Sequence, residues 1–156
     1  MQYFKLAVFS FVLMLAQSAS FSRLDIFGAR PDLILLLAVI CGLMGGAEKG
    51  LAAGILLGFC QDMLYGTGYY FLFGLGFAGF VSGALKGEVI SDDIVSLCAI
   101  AFISMFFYHL FYALIFQYVF ARPVPGFRLS LLTGAAINAF LAPVFIEAYK
   151  KIFENG

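Results

Sequence analysis

Three places in this sequence put ionisable or amide side chains inside oily runs: Gln61 and Asp62 ending GLAAGILLGFCQD, His109 within SMFFYHLFYAL, and Asn138 within INAFLAP. Ionisable groups are costly in lipid and invite a functional explanation. At about 1.5 Å per helical residue, Asp62 lies about 18 Å from the Gly50 end of its segment. By the same measure Asn138 is about 14 Å from the opposite end of its own segment, and His109 about 22 Å from the start of its segment. One polar layer shared by Asp62, His109 and Asn138 is compatible with those depths. Simpler readings stand beside it. Asp62 would be hydrated at a membrane rim or bonded to the backbone of the following turn, and His109 would make an interior hydrogen bond. Asn138 would bond across a helix contact, or to backbone that Pro143 frees.

Enzyme chemistry finds little support. There is no glycine-flanked serine elbow, no H-E-x-x-H, and the single histidine cannot build a metal site with a second. GLGFAG at 74–79 has dinucleotide-loop spacing, but it sits inside an apolar run and follows no strand. Cys41, Cys60 and Cys98 lack the paired spacing of a metal or disulfide framework and read as small buried thiols. The expectation is a non-enzyme with no cofactor and no metal.

The elements that must position these residues are membrane helices. The chain has 156 residues, 63% hydrophobic and only 12% charged, with a mean hydropathy of +1.03. Soluble domains carry about 25% charged residues. Six apolar segments can be counted, at roughly 4–19, 32–46, 50–65, 68–85, 94–120 and 129–149, with charges between them. No connection is long enough for a soluble domain. The expected fold is therefore an all-α integral membrane protein, a compact bundle of about six transmembrane helices forming one domain over 1–156. The formal net charge of +0 gives no reason to expect nucleic acid.

Pro31 and Asp32 open the second segment, a proline for the first turn and an acid for the positive end of the helix dipole. That segment has about 15 residues, or about 22 Å, short for a hydrocarbon core of about 30 Å, so it should be little tilted or screened by neighbours. GGAEKG, 45–50, is so short that segments two and three should form a tight antiparallel hairpin. Gly50, Gly54 and Gly58, four residues apart, form one helix face without side chains, and Gln61 and Asp62 end it. Gly79 and Gly83 repeat the device in segment four, which should pack backbone to backbone with segment three, unless a partner helix fills either face. Pro143 should kink segment six close to Asn138.

Orientation is nearly balanced. With the N-terminus inside, the cytoplasmic side receives Lys5, Lys49, Lys86, Lys150 and Lys151, and the outer side Arg23, Arg30, Arg122 and Arg128. Five against four leans to both termini in the cytoplasm. Residues 1–20 also have the layout of a signal peptide, with Lys5 before an apolar stretch and small residues Ala16, Ser18, Ala19 and Ser20 after it. The multi-span pattern that follows favours a retained helix.

Taken in order, Pro31-Asp32-Leu33, GFCQD at 58–62, the glycine-rich fourth segment and NAFLAP at 138–143 resemble the MreD family of bacterial rod-shape proteins. The resemblance covers nearly the whole chain, although LYGTGYY at 64–70 is more aromatic than that family's serine and glycine turn. It implies a multi-pass protein of the bacterial inner membrane, working in peptidoglycan synthesis at the elongasome with MreC, MreB, RodA and a transpeptidase. It also implies a fold similar to the substrate-binding components of energy-coupling-factor vitamin transporters. Two functions follow as expectations. One is a scaffold that docks an MreC-like bitopic helix on the surface of Gly50, Gly54, Gly58, Gln61, Asp62, Gly79 and Gly83; the other is a component that captures a vitamin-sized substrate.

Overall fold

The structure, a computed structural model, describes residues 2–19, 31–66, 69–88, 93–118 and 127–153. Among them the chain is all-helical: α1 Gln2–Ala19, α2 Leu33–Gly45, α3 Ala47–Tyr65, α4 Tyr70–Glu88, α5 Ile94–Tyr118 and α6 Phe127–Phe153. Each expected segment contains one helix. The lysine and arginine count used for orientation draws on Arg23, Arg30 and Arg122, which lie outside the described residues.

Local chemistry explains the boundaries. Asp32 is the N-cap of α2, with extended backbone and a side-chain oxygen that accepts the Leu35 N–H at 3.0 Å. Only Gly46 separates α2 from α3, and its φ of 87° is a conformation that side chains resist, so the hairpin turns on one residue. α3 consequently begins at Ala47, ahead of the expected start, and takes Glu48 and Lys49 into its first turn. At its other end Gly66 adopts the left-handed conformation and donates its N–H to the Asp62 carbonyl at 2.8 Å. α6 runs through Pro143 without ending there.

The core is built around α2, which packs against α1, α3, α4, α5 and α6. Every residue from Leu33 to Leu43 is buried, as a helix apolar on all sides requires. This explains how 13 residues, about 20 Å of helix, suit the centre of the bundle: protein rather than solvent or lipid surrounds them.

Among the described residues, two helices are long and apolar enough to cross a membrane, over Ile94–Ile115 and Leu132–Lys151. α2 is too short, and α3 carries Glu48 and Lys49 near its start and Gln61 and Asp62 near its end, which shortens its apolar stretch. The thiols also divide. Cys41 is buried and Cys98 partly so, but Cys60 is exposed, because it lies off the glycine face of α3 that packs inward.

Candidate functional site

Glycine brings α3 and α4 together. A Cβ on Gly50 would run into the Gly79 carbonyl, one on Gly54 into the Leu75 carbonyl, and one on Gly58 into the Leu72 Cα. Gly79 in turn faces the Gly50 carbonyl, and Gly83 meets the backbone of Gly46 and Ala47. Backbone fills the whole face, so α4 of the same chain takes the place where a partner helix was expected. Ser82 extends the contact to α2 by donating to the Val39 carbonyl at 2.9 Å.

Asp62 completes this pair of helices. Its Oδ1 accepts the Phe71 N–H at 3.0 Å and its Oδ2 the Leu72 N–H at 2.9 Å. The carboxylate at the end of α3 thereby caps the start of α4, satisfying two of the donors that a helix N-terminus leaves open and opposing its dipole. Gln61 beside it is buried, and its Oε1 meets no hydrogen-bond donor among the described residues.

A second polar cluster forms at the start of α2. The Gln17 Oε1 accepts the N–H groups of Leu33 at 3.1 Å and Ile34 at 3.3 Å, and its Nε2 donates to Asp32 Oδ1 at 3.3 Å. The Asp32 N–H is donated to Asn138 Oδ1 at 3.0 Å, tying α6 to the same point. α5, which carries Tyr108 and His109, packs against both α2 and α6.

Tyr112 stands between the two clusters. Its hydroxyl donates to the Tyr70 carbonyl at 2.6 Å, its ring lies 4.2 Å from the Tyr70 ring and 4.6 Å from that of Tyr108, and it fills the space left by Gly74. The polar residues thus gather at one end of the bundle, where α1 and α3 finish and α2 and α4 begin. Within that end the expected grouping of Asp62, His109 and Asn138 is redrawn. Asn138 binds Asp32 and His109 packs on Tyr108, whereas Asp62 caps α4.

No family model, curated protein or solved structure matches this chain. What the site can do chemically is therefore read from its own geometry.

Two buried nitrogens are the most informative atoms. Asn138 is 0% exposed, yet its Nδ2 has no hydrogen-bond partner among the described residues, and neither has His109 Nε2. His109 instead presents its ring edge-on to Tyr108, with centroids 5.3 Å apart. Sequence reasoning passed over Gln17, Gly42, Ser82 and Tyr112. Gln17 was hidden among residues with signal-peptide spacing, although a glutamine near the end of an apolar run is itself a signal of a buried partner. Gly42, whose Cβ would meet Ser82 Oγ and the Gly79 carbonyl, has no second glycine four residues away within α2 to mark it.

Proposed function

We propose that this chain is a multi-span, non-enzymatic scaffold of the bacterial inner membrane, of the kind that the MreD family represents. In this reading it serves cell-wall elongation by holding an MreC-like bitopic helix near the synthases. The observation that carries the reading is the inward use of its small and polar residues. The α3–α4 glycines face one another, Asp62 caps α4, and Gln17, Asp32 and Asn138 bind one another, whereas Leu56, Met63, Phe73, Phe140 and Val144 point outward. A rigid interior with an apolar exterior suits lipid and a partner helix. Enclosure by other helices also lets α2 belong to a six-span bundle despite its length. With the glycine face filled by α4, the partner helix would meet an outer apolar face.

The buried nitrogens of Asn138 and His109, without a hydrogen-bond partner among the described residues, favour a second reading, capture of a small substrate, because a few polar groups in an apolar surround are what such a site needs. Native mass spectrometry of the tagged protein, mildly extracted from its own membranes, separates the two. Co-isolation of a single-span wall-elongation protein supports the scaffold. A vitamin-sized adduct with an energising membrane subunit as the only protein partner replaces it with substrate capture.

A further inference from the structure

Among the described residues, the tyrosines that are mostly exposed all lie at one end of the bundle. Tyr65 closes α3 and is 52% exposed, Tyr69 stands immediately before α4 at 63%, and Tyr118 closes α5 at 77%. Contacts between the helices set their levels. Asp62 takes the Phe71 and Leu72 N–H groups, so the end of α3 is level with the start of α4. The Tyr112 hydroxyl on the Tyr70 carbonyl, at 2.6 Å, ties α5 to the same level, and Tyr118 lies about 9 Å further along α5 toward this end.

Tyr69 also has a φ of 67°, a left-handed conformation that bulky side chains resist. Its ring is mostly exposed, so packing within the bundle does not offset that conformation. Tyrosine suits one environment in particular. Its ring is apolar and its hydroxyl polar, which favours the boundary between hydrocarbon and headgroups. Purely apolar residues are exposed toward the middle of the bundle from each ring: Leu64 next to Tyr65, Phe73 four residues after Tyr69, and Leu114 four residues before Tyr118.

The opposite edge is marked differently. α3 begins with exposed Glu48 and Lys49, and α4 has Lys86 in its last turn. The rise from Lys49 to Tyr65 along α3, and from Lys86 back to Tyr70 along α4, is about 24 Å in each case. A lysine side chain adds its own reach, which brings both helices close to a hydrocarbon core of about 30 Å. Charge thus bounds the apolar belt on one side and tyrosine on the other.

We propose that Tyr65, Tyr69 and Tyr118 bind the headgroup layer of a phospholipid bilayer and mark where the hydrocarbon ends on this side of the bundle. This rests on the reading of the chain as a multi-span membrane protein, and it adds the surface that meets the lipid headgroups.

The chain has no tryptophan, so a single introduced one reports alone. Tyr65→Trp, Tyr69→Trp and Tyr118→Trp are made singly in the full-length protein and placed in phosphatidylcholine vesicles, with Leu56→Trp on the exposed side of α3 as the reference. The quenchers are phosphatidylcholines carrying a nitroxide either on the headgroup or near the end of an acyl chain. The three tyrosine sites should lose more fluorescence to the headgroup label, and Leu56→Trp more to the acyl label. If Leu56→Trp responds in this way but the tyrosine sites are quenched by neither label, or more by the acyl label, the proposal is overturned and the membrane reading stands. Equal depth at all four sites also overturns it, because the tyrosines would then mark no boundary. If Leu56→Trp is quenched by neither label, the membrane reading and the proposal fall together. Should Tyr69→Trp fail to fold at its strained backbone, Tyr65→Trp and Tyr118→Trp decide.

Discussion

Asn138 Oδ1 and the Asp32 N–H meet at 3.0 Å across a sequence separation of 106, joining the middle of α6 to the first turn of α2. One amide thereby closes the circuit from the last helix to the central one. Asn138→Leu leaves the Asp32 N–H without an acceptor in an apolar surround, a loss of about 1–3 kcal/mol. Asn138→Thr, whose hydroxyl is shorter, should recover only part of it. Thermal unfolding of both variants in detergent tests the order, and equal stability of Asn138→Leu and the wild-type protein would remove the bond from the account.

Asp62 should behave as a helix cap. Asp62→Leu deprives both Phe71 and Leu72 of an acceptor, whereas Asp62→Asn retains one acceptor oxygen, so the loss should be about 1–2 kcal/mol for leucine and about half that for asparagine. Hydrogen exchange reads the same effect locally. The amides of Phe71 and Leu72 should lose protection in Asp62→Leu before those in the middle of α4 do. Uniform loss along α4 would instead point to general destabilisation.

The small residues were the most legible part of this fold. Spacing alone placed Gly50, Gly54 and Gly58 on one face, because four residues nearly complete a helical turn, and α4 packs there. Spacing could not say whose helix fills the face, since a glycine groove accepts any backbone that approaches it. The polar residues were harder. Depth along a helix put Asp62, Asn138 and His109 at compatible levels, but it carried no information on azimuth, and Asp32 rather than Asp62 faces Asn138. Gln17 shows the limit most clearly. Its partners Leu33 and Ile34 are ordinary apolar residues whose need for a cap exists only in the backbone.

The glycine contact makes a prediction opposed to helix propensity. Alanine is the better helix former by about 1 kcal/mol, so Gly54→Ala would stabilise an isolated α3. In the bundle its Cβ meets the Leu75 carbonyl, a backbone atom that cannot rotate away, and α3 and α4 must separate along their length. Gly54→Ala should therefore lower the unfolding temperature, and Gly54→Leu should abolish recovery of a monodisperse peak by size exclusion. Gly76→Ala is the control: its Cβ meets the flexible Ile55 side chain at 3.0 Å, so the cost should be smaller.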